Sequence, residues 1–215
     1  MAGAEMKDTC LAILAGGSGE RFGDYKPLVQ LGSKRLIEYI LENLGPYFNR
    51  ALLVVKNDLQ RELLVNSVHE AISRYDVEIV LDKIDLDGPI AGIITATEYC
   101  NSELLALAPS DTPFIKFSIY KKLGDYVIKK HYDAAIPIWP NNYTEPLISL
   151  SVRKRLAQAA RACVSERWRV QTMYNKLNTA YVNIYSLSEN PEVDFLNINS
   201  HRDLELAQRF ISQRN

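Results

Sequence analysis

The sequence is short of everything that would staple or anchor a small protein from outside. Its three cysteines, Cys10, Cys100 and Cys163, stand far apart with no C-x-x-C pair. Neither a zinc site nor a disulfide framework follows from that spacing. They read instead as small buried hydrophobes of a reducing compartment. No apolar run is long enough to span a bilayer, and residues 1–8 carry acids with no apolar core. Neither a membrane span nor a signal peptide is therefore expected, and a cytoplasmic location is the default. A net charge of only −1 gives no global attraction for nucleic acid or a membrane surface. Repeats, low-complexity tracts and an interdomain linker are also missing. What remains is a chain of 215 residues, enough for one α/β domain and too short for two comfortable ones.

Within that frame one stretch stands out, LAILAGGSGERFGDYK from Leu11 to Lys26. Cys10 to Ala15 reads as a buried strand, short and without polar alternation, ending at a glycine pair. Glycines at a strand's carboxyl end let backbone N–H groups approach an anion. Arg21 and Lys26 add two positive side chains to the same loop, as a triphosphate would require. The spacing is neither G-x-x-x-x-G-K-[ST], since Pro27 follows Lys26, nor G-x-G-x-x-G, since the glycines fall at 16, 17, 19 and 23. A solvated turn after a core strand is the alternative for this stretch alone.

Strands and helices alternate through the first half. An extended piece is expected at 27–31, a helix at 35–44, a strand at 51–55 and a helix opened by Asn57 and Asp58, with an apolar stripe of Leu59, Leu63 and Leu64. A strand at 77–81, a helix at 90–99 and a strand at 104–108 follow. The pattern predicts a mostly parallel, doubly wound sheet with helices on both faces. Ligands of such sheets bind outside the carboxyl ends of the strands. Gly16 and Gly17, Asp82 and Asp111 all follow strand ends, so one crevice can collect them. The second half is less regular: a helix at 117–130, strands at 134–138 and 147–150, helices at 153–163 and 166–174, strands at 180–185 and 195–198, and a last helix at 203–211.

Asp111, after an apolar strand, is a natural Mg²⁺ ligand or alternatively a helix cap. Gly88 and Pro89 open GPIAGI, which suits backbone lying against a base or ribose and equally suits a helix start. Glu145 begins EPL as an acid at a strand start. Asn197 and Asn199 fall on one side of their strand. Ser200 and Asp203 look like a cap for the last helix, which leaves Asn197 unexplained.

In combination the LAGG loop, R-x-G-x-x-K, GPIAG, DTPF, EPL and N-I-N followed by D-L resemble the molybdenum cofactor guanylyltransferases, from Leu11 to Ala207. The resemblance implies a Rossmann-like three-layer α/β fold in a single domain, with a nucleotide-binding half about 9–115 and an acceptor half about 116–215. It implies a Mg²⁺-dependent transfer of GMP from GTP to the phosphate of molybdopterin, with pyrophosphate released. Leu14, Ala15, Gly16 and Gly17 would lie against the guanine nucleotide, with Gly88 and Asn57 as further contacts. Lys26 and Arg21 would hold the phosphates, Asp82 would meet the nucleoside, and Asp111 with Asn197 or Asn199 would bind Mg²⁺. Proteins that deliver or accept the cofactor are implied as partners. The sequence departs from the family pattern at Gly19 and Tyr25. A molybdopterin cytidylyltransferase, a guanylyltransferase for cobinamide phosphate or phospholactate, and a catalytically inert nucleotide-binding protein are the rival readings. The arginines at 153, 155, 161, 167 and 169 offer positive charge for the acceptor's own phosphate and the pterin, or else most of them simply face water.

Overall fold

The computed structural model describes residues 6–17, 25–84, 86, 88–166 and 169–213. β1 runs over Met6–Leu14, and a short hairpin of β2 (Gln30–Leu31) and β3 (Lys34–Arg35) leads into α1 (Leu36–Leu44). β4 (Phe48–Val55), α2 (Asp58–Arg74), β5 (Val77–Leu81), α3 (Pro89–Tyr99) and β6 (Leu104–Pro109) complete the first half. The second half holds α4 (Phe117–Gly124), β7 (Ala134–Ile138), β8 (Ser149–Val152), α5 (Arg153–Glu166), α6 (Val170–Tyr174) and β9 (Thr179–Asn183). Two single turns, α7 (Ile184–Leu187) and α8 (Pro191–Asp194), precede the closing α9 (His201–Ser212).

Among the described residues the central sheet has seven strands in the order β5-β4-β1-β6-β8-β7-β9. All are parallel except β8, which runs against both β6 and β7. The exception has a local cause. Only ten residues link β7 to β8, with no helix among them, and so short a link reverses the chain instead of crossing over.

Alternation along β1 divides the core into two layers. Leu11, Ile13 and Ala15 pack with α1, α2 and α4 through Ile37, Leu64 and Ile119. Cys10 and Ala12 pack on the opposite face with α3 and α5 through Ile94 and Ala160. All three cysteines are buried, and none of them forms a disulfide. The result is a Rossmann-like three-layer sandwich. A third, smaller cluster of Leu31, Leu36, Phe114, Ile198 and Ala207 fastens α9 to the hairpin and to the loop after β6.

Several sequence expectations are corrected. The stripe of α2 is Gln60, Leu64 and Val68, whereas Leu59 and Leu63 are exposed. The expected helix at 117–130 stops at Gly124 and widens into a π-turn over Asp125–Lys129. The strand expected at 147–150 starts two residues later, after a turn in which Ile148 N donates to Glu145 O at 3.0 Å. No strand forms at 195–198. That segment stays irregular, held by Ile198 N donating to Asp111 O at 2.9 Å. Ile198 alternates with Asn197 and Asn199 as a strand residue would, but there is no neighbouring strand to pair with.

Candidate functional site

The carboxyl ends of β1, β4, β5 and β6 meet along one edge of the sheet. Leu14 ends β1 between Val54 and Pro109, and Ala15 N donates to Val54 O at 2.8 Å. Ala15 O accepts the Tyr25 hydroxyl at 2.6 Å, and burial pushes that phenol up. Tyr25 therefore ties the far side of the glycine loop back to the end of β1. Ser18 to Asp24, with Arg21 and Gly19 among them, lie outside the described residues.

Gly16 and Gly17 are gripped from α2. Gln60, nearly buried, accepts from Lys56 N at 2.7 Å and places its amide 3.4 Å from the carbonyls of both glycines. The neighbouring Asn57 has its side chain committed elsewhere, accepting from Gln60 N at 2.9 Å as the cap of α2. Gln60, which the sequence reading missed, thus hydrogen-bonds the loop from α2, with Lys56 packed beside Gly16. A glutamine inside an amphipathic stripe carries no signal beyond its unexpected place on the buried face.

Asp82 follows β5, with its N–H on Val55 O at 2.8 Å. A Cβ on Gly16 would stand 3.7 Å from one of its carboxylate oxygens, and a Cβ on Gly92 3.7 Å from the other. Asp82 Oδ1 is buried without a hydrogen-bond partner. Burial raises its carboxyl, offset in part by the Thr95 hydroxyl and the Lys56 charge. A buried acceptor left over in this way is open to a donor from a bound molecule or water. Gly92 packs tightly here: a Cβ would sit 3.2 Å from Leu14 Cδ2, which would have to give way slightly. Gly88 caps α3 with a φ of 97°, and open space surrounds it, so its requirement is conformational.

Lys26 opens the turn after the glycine loop. Its ammonium donates to Asp111 Oδ2 at 2.5 Å and to Asn199 Oδ1 at 2.6 Å. Asp111 Oδ1 is buried and unpartnered. The Ile198 N–H on Asp111 O and the capping of α9, where Ser200 accepts from Asp203 N, fix Asn199 opposite Asp111. Asp203 also accepts from Asn199 N at 3.0 Å. Capping accounts for Ser200 and Asp203, while the Asn199 amide reaches Lys26 and Asn197 lines the cleft beside Asp111.

A cleft of about 460 Å³ opens beside Asp111 and continues between α3 and the 143–148 segment, with Asn197, Tyr143, Glu145 and Arg169 on its walls. Glu145 Oε1 accepts the Trp139 indole at 2.9 Å. Burial raises the Glu145 carboxyl, the indole lowers it, and the charge of Asp111 raises it further.

The expected arginine supply is mostly spent on structure. Arg153 donates to the carbonyls of Ser102 and Thr97, Arg155 pairs with Asp133 and Arg161 with Glu98. Arg167 lies outside the described residues, and Arg169 lines the cleft.

Residues 11–180 match the MobA-like NTP transferase domain family. The chain belongs to that family. It is accordingly a nucleotidyltransferase. A probable molybdenum cofactor guanylyltransferase of Methanocaldococcus jannaschii is 30% identical over 199 residues, covering 89% of this chain and 94% of that protein. One of the same name from Thermococcus gammatolerans is 30% identical over 203 residues, covering 90% and 95%. The crystal structure of molybdopterin-guanine dinucleotide biosynthesis protein A from Archaeoglobus fulgidus superposes with a TM-score of 0.79 at 29% identity, covering 95% of this chain and 99% of that one. The MobA-like assignment agrees with a glycine loop, a carboxylate after β6 and an asparagine before α9 meeting at one sheet edge.

No helix among the described residues is long and apolar enough to cross a membrane.

Proposed function

We propose that this MobA-like nucleotidyltransferase transfers GMP from GTP to the terminal phosphate of molybdopterin or its metal-loaded form, releasing pyrophosphate. The observation that carries the reading is the Lys26 ammonium held between Asp111 and Asn199 at the foot of the glycine loop. Two oxygens from distant parts of the chain converge on one cation, with a further buried oxygen on Asp111 left over. That donor set, a carboxylate plus a neutral amide, suits Mg²⁺, which keeps most of its shell for water and phosphate oxygens. Asp111 and Asn199 would hold the ion, with Asn197 beside them, and Lys26 would turn to the phosphates. Bound there, the ion would supply charge to the reacting phosphates.

The protein's own part is positioning and charge. Backbone of Leu14 to Gly17 lies along the nucleotide, Asp82 accepts N–H donors of the base, and Gly88 lets the start of α3 pass close by. Lys26 neutralises charge that moves to the leaving pyrophosphate. Arg21 is assigned to the same phosphates. An oxygen of the acceptor phosphate attacks the α-phosphorus in line, so no protein nucleophile is needed. On this reading residues about 9–115 serve the nucleotide and about 116–215 the acceptor.

Pyrophosphate release measured in parallel with GTP and CTP, each with and without molybdopterin, tests the proposal. Release should require GTP, Mg²⁺ and the acceptor together. Turnover with CTP alone would replace guanylyl by cytidylyl transfer, and no turnover with either would support an inert nucleotide-binding protein.

A further inference from the structure

The cleft beside Asp111 holds an acid that transfer from GTP does not use. Glu145 is fixed by its surroundings: its N–H donates to Pro137 O at 3.0 Å, its carbonyl accepts from Ile148 N, and the Trp139 indole holds Oε1. Trp139 in turn packs edge-on against Phe195 and closes its own turn by donating to Tyr143 O at 2.8 Å. The Tyr143 ring, 56% exposed, lines the cleft beside Glu145.

A carboxylate next to Asp111 is a poor neighbour for phosphate, so this part of the cleft favours something other than the acceptor's anionic end. A fixed carboxylate is suited to two parallel N–H donors in one plane, and an exposed aromatic face beside it to a flat ring. Nor is it placed for the base of GTP. Asp82 follows β5, whereas Glu145 starts the segment leading into β8, four strands along the sheet. Asp111, at the end of β6, lies between the two in the strand order.

Resting on the acceptor reading above, we propose that Glu145, with Tyr143 beside it, selects the acceptor's ring system by accepting the paired amino and ring N–H donors of a 2-amino-4-oxopyrimidine edge. Guanine carries that same edge. The site then offers one carboxylate at each end, Asp82 for the base of the nucleotide and Glu145 for the acceptor, with phosphate chemistry at Asp111 in the middle. Arg169 on the cleft wall is left for the acceptor's anionic groups.

The test compares binding of 6-hydroxymethylpterin with that of 6-hydroxymethyllumazine, in which a carbonyl replaces the amino group, by quenching of ligand fluorescence. The unaltered protein should prefer the pterin by about tenfold or more, as expected when a fixed, partly buried acceptor would otherwise be left facing a carbonyl. Glu145→Gln keeps an acceptor for the Trp139 indole but exchanges one oxygen for a donor, and should bring the preference to within about twofold. GTP with Mg²⁺ should raise the melting temperature of both proteins equally. Equal binding of the two ligands by the unaltered protein overturns the proposal without recourse to the variant. So does a preference that survives in Glu145→Gln. If GTP fails to stabilise either protein while the pterin preference is present and lost in the variant, the nucleotide reading fails and the acceptor site stands.

Discussion

Lys26 and Asp111 illustrate how much a single pair decides at the site. Both side chains are more than four-fifths buried, and each supplies the other's counter-charge at 2.5 Å. Asp111→Asn leaves an amide oxygen to accept from Lys26, so the fold should survive, while the charge needed by a metal ion is gone. Turnover is expected to fall by about 10²–10³-fold, or ~3–4 kcal/mol, measured as pyrophosphate release at saturating Mg²⁺. Near-normal release there would remove Asp111 from the mechanism. Lys26→Ala should lower kcat more than it raises KM for GTP, because a mobile point charge gains most where charge accumulates in the transition state. A change confined to KM would make Lys26 a ground-state clamp.

At the scale of elements, α2 does two jobs through neighbouring polar residues. Asn57 caps it, and Gln60 anchors the glycine loop to it. Replacing each separates the jobs. Asn57→Ala should cost about 1 kcal/mol of stability, read from the urea midpoint, with KM for GTP nearly unchanged. If that variant instead weakens GTP binding with stability intact, Asn57 contacts the nucleotide directly. Gln60→Glu retains an acceptor for Lys56 N but loses the amide donor near the two glycine carbonyls. KM for GTP should rise about tenfold, as the loss of hydrogen bonds worth ~1–2 kcal/mol would produce. The segment before α9 shows the same economy: Ile198 in the small cluster sets the reach of Asn197 and Asn199 toward Asp111.

For the whole molecule, burial of acids at the sheet edge sets a direction for stability against pH. Asp82 has its folded carboxyl raised above the ordinary value of 3.8 by burial. A group raised in this way holds its proton more tightly when folded. Its contribution to stability is present below the unfolded value and is lost as pH rises through the folded one. Asp82→Asn should therefore melt higher than the unaltered protein at about pH 8, with the difference shrinking as pH falls toward ~4. The same variant should bind GTP less well, so stability and binding move in opposite directions. A melting temperature unchanged at both pH values would mean that the burial of Asp82 carries no cost in the folded protein.

Much was legible in the chain itself. Short apolar runs ending at Gly16, Asp82 and Asp111 determined the parallel sheet and its ligand-bearing edge, because a buried strand and a glycine turn are local properties of composition and spacing. The N-caps at Asn57 and Ser200 were equally local. Other features depended on packing between segments distant in sequence. The antiparallel β8, the irregular path at 195–200 and the exposure of Leu59 and Leu63 follow from what neighbours each segment finds, which periodicity does not encode. The same holds for the arginines of α5: Arg153 and Arg161 find Ser102, Thr97 and Glu98 on or beside α3, whereas Arg155 finds Asp133 before β7. Gln60 and Tyr25, the two side chains that brace the glycine loop, act through hydrogen bonds across 10 to 44 residues. Only the closed three-layer fold brings those donors and acceptors within reach of one another.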